Sequence, residues 1–117
     1  MSDHPLAAPV PLEPSHETDE FESGAEELDE WLHQWALVNH RSGNARVFVA
    51  TRGSRVVGYY ALATGGVEKD RVPEEVKKGG VPEQVPCLLL ARLAVDRSEQ
   101  ATGMGRALLV DALRRAV

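Results

Sequence analysis

The sequence predicts a mixed α/β domain of the α+β kind, and three stretches carry that prediction. Leu88, Leu89, Leu90, Leu93, Ala94 and Val95 form a nearly continuous apolar run broken by Arg92, the pattern of a strand covered on both faces. After the polar stretch 96–100, Gly103 and Gly105 precede an amphipathic helix starting near Met104, with Leu108, Leu109, Ala112, Leu113 and Ala116 on one side. Upstream, 45–51 (ARVFVAT) and 55–63 (RVVGYYALA) flank Arg52-Gly53-Ser54 as the two arms of a hairpin.

In chain order, Pro5, Pro9, Pro11 and Pro14 lie in a polar opening segment, read as a flexible leader over 1–9. Val10 to Leu12 follows as a first strand, which proline confines to an edge. Ser23 and Glu26 have the spacing of a capping box. Leu28, Trp31, Leu32 and Trp35 then recur at helical intervals, which turns both tryptophans toward the core, and Gly43 stops the helix after 39–42. Gly58 inside the second hairpin strand signals a bulge or a close approach. Tyr59 and Tyr60 point to opposite faces, and Thr64-Gly65-Gly66 closes the strand. The charged stretch 68–83 reads as a long loop with a short helix over 73–77.

Composition narrows the function. At 117 residues with 43% hydrophobic content the chain is one domain, 1–117, with a modest core. No apolar run approaches a membrane span, and no basic and apolar leader of a signal peptide is visible, so a cytoplasmic protein is expected. One cysteine, Cys87, excludes an internal disulfide and reads as a small strand residue. Four scattered histidines make a metal site unexpected. The net charge of −5 argues against a broadly basic nucleic-acid binder and leaves a local basic patch open.

The chemistry concentrates at the glycines. A strand feeding a glycine loop at a helix N-terminus offers unpaired N–H groups at the positive end of the helix dipole, a setting suited to a pyrophosphate. The alternative is a glycine turn with no ligand. A P-loop is excluded, because no Lys lies in the loop or after it, and a GxGxxG dinucleotide fingerprint is absent. Gln100-Ala101-Thr102-Gly103-Met104-Gly105, placed after a strand ending in Val95-Asp96, has Gln/Arg-x-x-Gly-x-Gly/Ala spacing. It resembles motif A of the GCN5-related N-acetyltransferases.

A second likeness narrows the branch. Phe21-Glu22-Ser23-Gly24, residues 28–32, Asn39, Ser42-Gly43, Val47-Phe48-Val49, residues 58–62 and residues 91–96 resemble the acetyltransferase toxins of bacterial toxin–antitoxin pairs. The resemblance covers roughly 10–117 and implies the N-terminal two-thirds of that fold. It implies acetyl-CoA as co-substrate, an aminoacyl-tRNA acetylated on its α-amino group, and a ribbon-helix-helix antitoxin as partner. Gln100, Ala101, Thr102, Gly103, Met104, Gly105 and Arg106 would hold the pyrophosphate. An N–H among Leu93, Ala94 and Val95 would meet the developing oxyanion.

The resemblance also places the general-acid tyrosine beyond Val117, so no catalytic side chain is assigned. The 117-residue chain alone is expected to be inactive and to self-associate, most simply as a homodimer. Arg92, the odd charge in an apolar strand, is a candidate for a substrate phosphate or for a structural ion pair. Arg46, with Arg41 and Arg52, is a weaker candidate for a tRNA-facing edge, and His40 a remote one for a base. Two other readings stay open: an inactive fragment that binds acetyl-CoA or antitoxin, and a generic small-molecule or protein N-acetyltransferase.

Overall fold

In the computed structural model, which describes residues 4–68 and 84–116, one four-stranded antiparallel sheet separates two helical layers. The strands are β1 (Val10–Pro11), β2 (Arg46–Arg52), β3 (Arg55–Glu68) and β4 (Gln84–Val95), paired in that order. Helices α1 (Glu26–Gln34) and α2 (Ala36–Ser42) cover one face, and α3 (Met104–Ala116) covers the other. The short helix expected over 73–77 lies outside the described residues.

Alternation along the strands divides the core in two. Val47, Val49, Val56, Tyr59, Ala61 and Ala94 face α1 and α2, joined by Phe21, Leu32 and Ala36. Phe48, Ala50, Val57, Tyr60 and Leu62 face α3, where Met104, Leu108 and Ala112 meet them. Tyr59 and Tyr60 are both fully buried, one in each layer. The register slips between Ala50 and Thr51, opposite Val56 and Gly58. At that bulge Val57 and the would-be Cβ of Gly58 both face α3, so Gly58 serves as bulge and close approach together.

Four local expectations change. β3 does not close at Thr64-Gly65-Gly66 but runs on to Glu68, because Gly65 and Gly66 pair with Cys87 and Pro86 of β4. Interstrand hydrogen bonds outweigh the weak intrinsic preference of two glycines. No capping box forms at Ser23 and Glu26. The helix begins later, with Ala25 at its N-cap, and the Asp29 carboxylate accepts the Ser23 hydroxyl at 2.6 Å. Trp35 is 52% exposed, since the helix breaks there and the fully buried Ala36 takes the inward position. Leu109 and Leu113 are exposed, whereas Leu108 and Ala112 hold α3 to the sheet. Gly43 does end α2, in the left-handed conformation at φ 84°.

Candidate functional site

The site grows from the end of β4. Asp96, 3% exposed, closes the strand by accepting the Ser98 hydroxyl at 2.7 Å and the Ser98 N–H at 3.0 Å. It also takes the Glu22 N–H at 2.8 Å and the Arg55 guanidinium at 3.2 Å. One 3-10 turn follows, Arg97–Glu99, and Glu99 receives Arg52 through two bonds of 2.9 and 3.0 Å. Burial works to raise the Asp96 carboxyl, yet the Ser98 hydroxyl, the two backbone N–H groups and Arg55 hold it below its ordinary 3.8. The hydrogen bond from Arg52 holds Glu99 below its ordinary 4.5, against burial.

Both carboxyls have folded values below their unfolded ones, so the stability they contribute is present above the unfolded values. It is lost as pH falls through the folded ones. The thermal midpoint should therefore stay level from neutral pH to about pH 5 and drop below about pH 4. Melts followed by circular dichroism check this, and a midpoint unchanged at about pH 3 would refute it.

The loop itself turns on two left-handed residues, Ala101 at φ 64° and Gly103 at φ 89°. A non-glycine residue at positive φ costs roughly 1–2 kcal/mol, so Ala101 is held there by its surroundings. Thr102 donates its hydroxyl to the Glu99 carbonyl, and Gln100 Nε2 donates to Val95 O at 3.0 Å and Ser23 O at 2.6 Å. The first bond of the α3 ladder runs from Ala107 N–H to Gly103 O at 3.0 Å. The N–H groups of Met104, Gly105 and Arg106 therefore precede the ladder, at the positive end of the helix.

The sequence-assigned residues thus sort by what they can do. Leu93, Ala94, Val95 and the run 100–106 form one continuous unit of strand end, loop and helix start. Within it, the Gln100 side chain is committed to two carbonyls and Met104 is buried beneath Gly58. What the loop offers an anion is backbone N–H. The Asp96 N–H donates to Val57 O at 2.9 Å, so alternation turns the N–H groups of Leu93 and Val95 away from β3, toward the open side of β4.

The two substrate candidates are not brought together. Arg92 lies on the α1 face, its guanidinium carbon 4.4 Å from the Trp31 ring centre. Arg46 shares a face with Phe48, 5.8 Å from that ring, in the α3 layer. Arg52 is occupied by Glu99, and His40 Nδ1 accepts the Val47 N–H at 3.0 Å, closing the α2–β2 turn. Neither tyrosine is available as an acid. Burial raises both hydroxyls well above the ordinary phenol value, and each is engaged: Tyr59 Oη donates to Leu28 O at 2.7 Å, Tyr60 Oη to Asp111 at 2.5 Å.

Two features were not read from the sequence. Tyr60, Asp111 and Arg115 form a chain that ends on Pro9 O at 2.9 Å, tying residue 9 to α3. Glu22 and Ser23 are bonded to the glycine loop and the turn before it through Asp96, Arg97 N–H and Gln100. Both depend on residues far apart in the chain; the 100-to-105 spacing and the likeness at 21–24 marked the two sides of the second, and nothing in the sequence joined them. A groove of about 580 Å³ beside α1 is lined by Glu22, Glu26, Asp29 and Glu30 with His33 and Arg97. Its negative lining is the wrong sign for a pyrophosphate, so the anion reading belongs to the loop.

No protein-family profile matches the chain. A tRNA-acetylating toxin of Mycobacterium tuberculosis is 45% identical over 111 residues, covering 95% of this chain and 66% of that protein. The chain belongs to the toxin branch of the GCN5-related N-acetyltransferases. AtaT complexed with acetyl-methionyl-tRNAfMet superposes with a TM-score of 0.78 at 27% identity, over 95% of this chain and 68% of that one. A variant of AtaT bound to the C-terminus of the antitoxin AtaR and acetyl-CoA does so with a TM-score of 0.78 at 26% identity, over 96% and 65%. The chain spans just under two thirds of the length of its curated relative.

A Cβ built on Gly103 would meet nothing within 4 Å, so the space beside that residue is open. No helix among the described residues is long and apolar enough to cross a membrane.

Proposed function

We propose that the intact protein transfers the acetyl group of acetyl-CoA to the α-amino group of an aminoacyl-tRNA, a toxin activity that blocks translation. The observation that carries this reading is the 45% identity to a tRNA-acetylating toxin over 111 residues, 95% of this chain. Residues 100–106 bind the pyrophosphate through backbone N–H groups. The Val95 or Leu93 N–H, on the open side of β4, stabilises the negative charge on the carbonyl oxygen as the amine attacks. Nitrogen then gains the acetyl group and loses a proton, the carbon–sulfur bond breaks, and the thiolate takes up a proton. The group that supplies this last proton is neither Tyr59 nor Tyr60, for the reasons of burial given above.

The finer parts of the reading are a ribbon-helix-helix antitoxin, a homodimer and a cytoplasmic site of action. Leu89 and Leu90 on the open edge of β4, and Leu109 and Leu113 on α3, are exposed and support self-association.

Incubating the intact protein with acetyl-CoA and tRNA charged with each amino acid in turn tests the proposal. N-acetyl-aminoacyl-tRNA should form from charged tRNA, and no acetylated product from uncharged tRNA. Equal rates on free amino acids or a peptide N-terminus would favour a generic acetyltransferase. Acetyl-CoA binding without any transfer would favour the inactive reading. Sedimentation of the same samples at two concentrations checks assembly, and a monomer at both would remove the dimer from the proposal.

A further inference from the structure

Arg92 lies over an aromatic ring, and among the described residues no ion pair joins it to an acid. Its guanidinium lies on the Trp31 indole at 4.4 Å. Among the described residues, no carboxylate forms an ion pair with it and no carbonyl accepts from it. Three other arginines near the end of β4 do have acidic partners: Arg52 pairs with Glu99, Arg55 with Asp96, and Arg97 with Glu22. A guanidinium carries five N–H donors in its plane, and stacking on a ring occupies the face while leaving that edge free. Such an arrangement is matched to a bidentate oxyanion, a phosphate above all.

The indole is itself fixed. It stacks on Tyr59 with 12° between the rings and 6.0 Å between their centres. Tyr59 is fully buried, meets Phe21 edge-on at 5.5 Å, and is anchored by its hydroxyl to Leu28 O. Trp31 and Leu28 sit on α1, and Ser23 ties the approach to α1 to Asp29 on that helix. Arg92 stands on β4, at the sheet edge that has no partner among the described residues. It lies three residues before Val95, where the cofactor loop begins.

We propose that Trp31 is a positioning residue, holding the Arg92 guanidinium flat against the α1 face of β4 so that its edge receives a phosphate of the RNA acceptor. The proposal rests on the reading of this protein as an aminoacyl-tRNA acetyltransferase. The same chemistry has a second source in the phosphates of acetyl-CoA, and the experiment separates the two.

The test uses the intact protein, a fluorescent RNA minihelix ending in CCA, and acetyl-CoA titrated separately by calorimetry. Arg92→Ala should weaken minihelix binding about 10- to 100-fold and lower the salt slope of that binding by about one. Trp31→Leu, which keeps apolar bulk but removes the π face, should weaken it about fivefold. Trp31→Phe should restore most of the loss. Trp31→Leu added to Arg92→Ala should cause no further loss, because the tryptophan acts through the arginine. Acetyl-CoA affinity should stay within about twofold throughout.

Additive losses in the double variant would overturn the positioning role. So would unchanged RNA binding in Trp31→Leu, or the absence of any minihelix binding by the unaltered protein. A parallel fall in acetyl-CoA affinity would overturn the RNA assignment in favour of the cofactor's phosphates. If Trp31→Leu does not fold, Arg92→Lys decides: it keeps the charge but not the planar fork, and binding as tight as the unaltered protein's overturns the proposal. Binding is read without turnover, so a failure of acetyl transfer in the earlier assay leaves this result standing on its own.

Discussion

Replacing Gly103 by alanine should weaken acetyl-CoA binding by about tenfold or more, the loss expected when a charge-assisted hydrogen bond is blocked. Gly103 sits at φ 89°, directly before α3, and a Cβ there would meet nothing within 4 Å. The methyl group enters the volume a pyrophosphate needs, and the left-handed backbone adds a strain of roughly 1–2 kcal/mol to the fold. Gly105 provides the contrast. A Cβ on it would lie 3.8 Å from Val95 Cγ2, an ordinary contact, within a helix where alanine is favoured over glycine by about 1 kcal/mol. Gly105→Ala should raise the melting temperature and keep the ligand. Calorimetry and thermal melts on both variants check the pair. Unchanged affinity in Gly103→Ala would remove the loop from the cofactor site.

Gly58→Val should destabilise the protein by about 1–3 kcal/mol through overpacking and weaken acetyl-CoA binding with it. A Cβ at Gly58 would stand 2.7 Å from Met104 Sδ and 3.1 Å from Leu108 Cδ1. Met104 opens α3 and Leu108 lies one turn on, so making room there moves the helix start away from the end of β4. Gly58→Ala should cost less, since a methionine side chain can swing aside. Met104→Ala should recover part of the stability lost in the valine variant by emptying the contested volume. Urea unfolding measures each step. A midpoint in Gly58→Val equal to the unaltered protein's would show that β3 and α3 are not packed as closely as described.

Much of the architecture was legible because it is written in local pattern. Strand alternation in 45–51 and 55–63, with Gly53-Ser54 between, specified the hairpin and sent Tyr59 and Tyr60 to opposite faces. The glycine spacing and the apolar run before it located the loop, because a backbone that must turn left-handed needs glycine at Gly103. Periodicity failed at Trp35. A helical repeat assumes one unbroken helix, and the break at that residue moves it out to solvent and brings Ala36 in.

Residue identity and spacing therefore determined the order of elements, the hairpin, the place of the glycine loop and the branch of the acetyltransferase family. Those features follow from short-range periodicity and from backbone conformations that few residue types accept. Tertiary structure alone decided which polar groups are spent and which are free. Gln100 is drawn to Ser23, Arg52 to Glu99 and Asp96 to Glu22, whereas Arg92 lies over the Trp31 ring. These pairings join residues 47 to 77 positions apart, or 61 for Arg92 and Trp31. Such partners meet only because the folded chain brings both together, and no period or motif in the chain encodes that meeting.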